Sequence, residues 1–105
     1  MESKKIIALR VALLIAVSEA NKHKDDDDGG TSNWDTPIIF LPFWKPSDIE
    51  EAFKLTGLRT HFEGKAVFIL GACDGQGFRR TAMAEAFRDS LKAQGYMAHV
   101  DYRVD

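Results

Sequence analysis

The sequence predicts an α+β fold, a ferredoxin-like βαββαβ two-layer sandwich preceded by an extra N-terminal helix. Three observations predict it. Runs of strand length at residues 34–41, 58–63, 66–70 and 97–104 are β-branched and aromatic or alternate apolar with polar. Stretches of helical period lie between the first and second run and between the third and fourth. And 105 residues, 45% apolar and 29% charged, suffice for one core but not two. Residues 1–105 therefore read as a single domain: a helix over 1–22, a flexible acidic and glycine-rich loop over 23–33, and the βαββαβ core over 34–105.

The elements follow in order. Ser3 is a suitable N-cap for a helix ending near Asn21. Its apolar residues Ile6, Ile7, Leu9, Leu13, Leu14 and Val17 cover more than one face, so it is either deeply buried or shared with another subunit. The expectation is that it covers the far face of the sheet or forms a homo-oligomer, most simply a dimer, with Leu13 on the paired surface. Lys4 and Lys5 before an apolar run also suit a signal peptide, but Arg10 interrupts that run and it is too short for a membrane span. A cytoplasmic protein with no membrane partner is expected. The aspartates Asp25 to Asp28 lack the alternating spacing of a calcium loop and read as a solvated, mobile segment.

In the first strand Pro37 delays regular pairing. Ser47-Asp48-Ile49-Glu50 has the form of a capping box, opening a helix that turns Ile49, Ala52 and Phe53 inward and stops by Gly57. Gly64-Lys65 joins the next two strands tightly. Residues 79–94 form a helix with Met83, Ala86, Phe87 and Leu91 on one face, ended by Gly95. The last strand turns Ala98, Val100, Tyr102 and Val104 to one side.

In this topology the first and third strands are antiparallel neighbours, so residues 29–35 come to lie beside residues 71–77. Leu58-Arg59 and Tyr102-Arg103 reach the same end of the sheet. There residues 71–81 (GACDGQGFRRT) run from a strand into a helix. Glycines turn backbone N–H groups outward, and a helix N-terminus favours an anion. Arg79 and Arg80 in the first turn oppose the helix dipole unless an anion or carboxylate compensates them. The candidate ligand-binding residues are therefore Gly75, Gln76, Gly77, Arg79, Arg80 and Thr81, with Asn33, Trp34 and Asp35 beside them. Gly77 is assigned close approach of backbone to ligand. Trp34 could stack on a base or fill a core edge. Pairing of the arginines with Asp74, Asp35 or Asp101 is the competing, structural account.

Other chemistry is poorly supported. The loop lacks the lysine of a Walker A motif, and Arg80 stands where a dinucleotide fingerprint has its third glycine. His23, His61 and His99 have no metal-ligand spacing, Cys73 is the single cysteine, and no cofactor is indicated. The net charge of −2 excludes a uniformly basic nucleic-acid coat. Phe43 and Trp44, at the opposite end of the sheet, suit either a partner patch or a core cover.

At residues 29–37 (GGTSNWDTP), 75–87 (GQGFRRTAMAEAF) and 95–105 (GYMAHVDYRVD) the chain resembles small uncharacterised proteins of bacteriophages and prophages of gut bacteria. The resemblance implies an accessory role in the host cytoplasm, with counter-defence a frequent role for phage proteins of this size. Two stoichiometric, non-catalytic forms fit. One is a sponge for a phosphate-containing nucleotide at residues 71–81. The other is an anti-CRISPR protein that blocks a nucleic-acid-guided effector, with Asp25 to Asp28 imitating phosphates. A small phosphotransfer or phosphodiesterase enzyme, and a structural or regulatory phage protein assembling through the first helix, are the alternatives.

Overall fold

Four strands pair into one antiparallel sheet of order β2-β3-β1-β4 in a computed structural model, which describes residues 3–104. The elements are α1 (Lys4–Asn21), β1 (Thr36–Phe40), α2 (Pro46–Phe53), β2 (Arg59–Glu63), β3 (Ala66–Leu70), α3 (Gly77–Ala93) and β4 (Met97–Asp101). The fold is α+β. β1 and β3 are central neighbours, with Ile38 opposite Phe68 and Phe40 opposite Ala66. The ladder to β3 begins at Ile38, one residue after Pro37, which has no N–H to contribute. Toward β4 it runs from Thr36↔Asp101 to Phe40↔Met97, and a bridge between Asn33 and Val104 continues it to the end where the candidate site lies.

Alternation sorts the strands into two faces. Ile39, Val67, Ile69 and Ala98 point into a core shared with Leu9, Leu13 and Ala16 of α1, Ile49 and Phe53 of α2, and Met83, Phe87 and Leu91 of α3. The expectation that α1 covers the far face is overturned. α1 packs on the same side as α2 and α3, lying between them, while the backbones of α2 and α3 do not approach each other. Ala12, Ala16 and Ala20 explain this: small residues at every fourth position, all buried, let α1 approach α3 closely. Leu13, expected on an intersubunit surface, is fully buried in this core. The apolar residues that α1 leaves exposed are Ile7, Val11, Leu14 and Ile15. Arg10, the residue that interrupts the apolar run, donates through Nη2 to the Glu51 carbonyl in the last turn of α2, where a cation is favoured.

The opposite face of the sheet carries Ile38, Phe40, Phe68, His61 and His99, and no described helix packs on it. Trp44 closes one end of the core with the Lys5 ammonium 4.6 Å from its ring centroid, while neighbouring Phe43 is almost fully exposed.

Two local expectations also change. The capping box at Ser47 does not form: α2 begins at Pro46, whose fixed φ suits the first helical position, so Ser47 is already inside the first turn. And α3 starts at Gly77, two residues before the apolar periodicity begins, because the loop before β1 supplies its end with partners. No helix among the described residues is long and apolar enough to cross a membrane.

Candidate functional site

Segments from four parts of the chain meet at one end of the sheet. The Trp34 N–H donates to the Arg103 carbonyl at 2.8 Å, and Arg59 and Arg80 line one cleft with Trp34 and Gly71. The convergence expected from topology is therefore present. Its residues divide into three groups with different work to do.

Asn33, Asp35, Gln76 and Thr81 form a polar network that is buried at Asn33 and Asp35 and half-buried at Gln76 and Thr81. Asn33 Nδ2 donates to the Gly77 carbonyl at 3.0 Å and to Thr81 Oγ1 at 3.2 Å, and Asn33 Oδ1 accepts the Asp35 N–H at 3.0 Å. Asp35 accepts from Thr81 Oγ1 at 2.6 Å and from the Arg103 N–H at 2.9 Å. Gln76 Oε1 accepts the Asn33 N–H at 3.2 Å. Asn33 and Asp35 are both buried, and their polar atoms are turned into the protein. They fasten residues 31–35 and the segment after β4 to α3, since leaving such groups unsatisfied costs about 1–3 kcal/mol each.

The second group is the α3 N-terminus, and it is occupied by the chain itself. Asp28 Oδ1 accepts the Gln76 N–H at 3.3 Å, and the Gly29 carbonyl accepts the Phe78 N–H at 2.8 Å. Arg79 completes the contact: Nη2 donates to Asp28 Oδ2 at 2.9 Å, Nε lies 2.8 Å from Asp28 Oδ1, and Nη1 donates to the Lys24 carbonyl at 3.0 Å. Asp74 adds a second carboxylate 3.7 Å away. The cation that opposes the helix dipole is thus compensated internally, by an effect of about 0.3–1 kcal/mol at an exposed end. The aspartate loop, expected to be mobile, is docked. Both loop glycines serve this docking: a Cβ at Gly75 would overlap the Arg79 guanidinium, and one at Gly77 would overlap the Asp28 and Gly29 carbonyl oxygens. The close backbone approach expected of Gly77 is to residues 28–29, not to a ligand.

The third group faces solvent. Arg80 anchors through Nε on the Asp35 carbonyl at 3.0 Å, and its guanidinium carbon lies 5.6 Å from the centroid of Trp34. Trp34 is 53% exposed, so it does not fill a core edge. Arg59 enters from β2. Among the described residues neither Arg59 nor Arg80 has a carboxylate partner. With Trp34, Thr36, Pro37, Leu70 and residues 71–73 they enclose a cleft of about 350 Å³. Two guanidinium groups with no carboxylate partner among the described residues, beside an exposed indole, suit a planar ring with an attached anion.

Compared with known protein families, curated proteins and solved structures, the chain matches none.

Arg59 was not among the sequence candidates, although the topology put it at this end; no local motif marks it. Cys73, a free cysteine at the cleft wall, is held toward its protonated form. Burial pushes its thiol up to about 11, against the opposing pull of Arg80, with Asp35 and Asp74 adding to the rise. Native protein at pH 8 should therefore react with a disulfide reagent at least about tenfold more slowly than urea-unfolded chain, whose thiol keeps its ordinary value of 9.0. The sign for stability follows: the folded state prefers the protonated thiol, so this contribution is full below the unfolded pKa and is lost as pH rises from about 9 to about 11. Equal labelling rates in the two states would show that Cys73 is accessible.

Proposed function

We propose that this chain is a non-catalytic, stoichiometric binding protein that holds a phosphate-bearing nucleotide in the cleft between Trp34, Arg59 and Arg80. The observation that carries this is the pair of arginines that have no carboxylate partner among the described residues, flanking an exposed tryptophan. The element order β-α-β-β-α-β after α1 and the strand order β2-β3-β1-β4 support a ferredoxin-like scaffold for it. In the host cytoplasm, as the phage resemblance implies, such a protein acts as a counter-defence sponge.

The anti-CRISPR version based on phosphate mimicry has less support, because Asp26, Asp27 and Asp28 have internal partners. Asp26 lies 2.9 Å from His23 Nδ1, Asp27 accepts the Gly29 N–H at 3.0 Å, and Asp28 is engaged at α3. Self-association is part of the proposal, through Ile7, Val11, Leu14 and Ile15, an exposed stripe of the kind that pairs with a second copy.

The test uses Trp34 as its own reporter in a Trp44→Phe background. Adenosine monophosphate should quench Trp34 fluorescence saturably. Arg59→Gln and Arg80→Gln should each weaken binding by about tenfold, the scale of one exposed charge-assisted contact. Arg79→Gln should leave binding unchanged, because that guanidinium serves Asp28. Quenching that ignores the cleft arginines, or tracks Arg79, would contradict the proposal.

A further inference from the structure

The open face of the sheet continues the cleft, and the geometry points to single-stranded nucleic acid as its occupant. Thr36, Leu70 and Arg59, at the cleft, belong to the same face as Ile38, Phe68 and His61 one row further along. Phe40 stands in the row after that, paired with Ala66 and Met97. Successive rows are about 6.7 Å apart, the rise of two strand residues. A chain leaving the cleft therefore meets Phe68 on one central strand and then Phe40 on the other.

Both rings are half-buried and held in place. Phe68 packs edge-on against His61 with centroids 5.8 Å apart, and Phe40 against His99 at 5.4 Å. Rigid aromatic rings on a sheet surface accept bases without regard to sequence, because every base has a π-face. The Arg103 guanidinium, 6.0 Å from the Phe68 centroid and held by Asp101, already shows that this ring receives a planar cation. A base takes that place, or lies between ring and guanidinium.

Charge decides against a second copy of this chain. The face carries Arg59, His61, Glu63, His99, Asp101 and Arg103, and two copies pressed together would have to desolvate every one of them twice. A single strand instead brings bases to the rings and phosphates to the arginine-rich end, leaving the ionised edges wet. Among the described residues no helix packs on this face; Ile38 is buried within it, and the Arg103 side chain, which reaches over Phe68 from the exposed chain end, is the group a strand would have to displace or stack beneath.

This inference rests on the cleft proposal only for the phosphate contacts at Arg59 and Arg80; the ring platform stands apart from it. The experiment is fluorescence anisotropy of the full-length protein with end-labelled eight-nucleotide oligo(dT) and oligo(U), competed by adenosine monophosphate and by a blunt DNA duplex. Either single strand should bind about a hundredfold more tightly than the mononucleotide, and the duplex should compete poorly. The double variant Phe40→Leu/Phe68→Leu should lose about tenfold per ring, while mononucleotide binding in the cleft is kept. The conservative pair Phe40→Tyr/Phe68→Tyr should restore it, which separates stacking from folding. The salt slope should be near −1.4, about 0.7 for each of two phosphates contacted. Oligonucleotides no tighter than the mononucleotide, or insensitive to the leucine pair, overturn the platform and leave the cleft standing. Oligonucleotide binding without mononucleotide binding removes the cleft instead. A dimer that Phe68→Glu dissociates would assign the face to a second copy.

Discussion

Gly77→Ala is expected to destabilise the free protein by about 3 kcal/mol, the sum of forced overpacking and an αL penalty near 1 kcal/mol. The position has φ +58°, and a methyl group there would meet the Asp28 and Gly29 carbonyl oxygens, which are backbone atoms and cannot rotate aside. To admit it, residues 28–29 must lift from α3, giving up the Phe78-to-Gly29 hydrogen bond and the Asp28–Arg79 pair. Gly95→Ala provides the contrast. Its φ of +93° is just as unfavourable, but a Cβ there meets open space, so its cost should stay near 1 kcal/mol. A thermal melt reads the difference, at roughly 4–8 °C per kcal/mol for a domain of this size. Equal melting temperatures for the two variants would mean that the loop is not docked on α3.

Leu13→Glu has the second large effect. Leu13 is fully buried among α1, α3 and the sheet, so the variant loses a buried side chain and places a carboxylate where it has no partner. Leucine truncation alone costs about 2–5 kcal/mol, and the buried charge adds to that, against a total stability of about 5–15 kcal/mol. The chain should be largely unfolded or insoluble. Val11→Glu, two residues earlier and so on the opposite side of the helix, half-exposed, should change stability by no more than about 0.5 kcal/mol. It is the variant that tests association: light scattering should show dimer becoming monomer. Wild-type protein that is monomeric at high concentration would remove the dimer from the account without touching the fold.

These variants also show which parts of the molecule could be read in advance. The strands were legible because β-branched runs and alternation are local signals: β3 occupies residues 66–70 as expected, and the pairing of β1 with β3 followed from element order. The place of α1 was not. Its apolar residues spread around the helix, and the deciding feature was the small size of Ala12, Ala16 and Ala20, which matters only once α3 is alongside. At the site, Arg79 and Arg80 look alike in the sequence, each a cation in a first helical turn. Consecutive residues differ by about 100° around a helix, so one guanidinium faces the Asp28 loop and the other the cleft. What separates them is a carboxylate some fifty residues earlier, a long-range contact that no motif announces. The same holds for Arg59, which reaches the cleft only through the β2–β3 register.

The central claim is that the ligand surface is the cleft of Trp34, Arg59 and Arg80, while the α3 N-terminus is already filled by Asp28. The most direct measurement is a two-dimensional NMR titration with adenosine monophosphate, following backbone amides, the Trp34 indole N–H and arginine Nε–H signals together. Saturable shifts are expected at Trp34, Arg59, Arg80 and the amides of residues 71–73, with the amides of Gln76 and Phe78 and the Arg79 Nε–H unmoved. Shifts centred on Gln76, Phe78 and Arg79, with the Trp34 indole silent, would show a phosphate displacing Asp28 at the helix end and would contradict it.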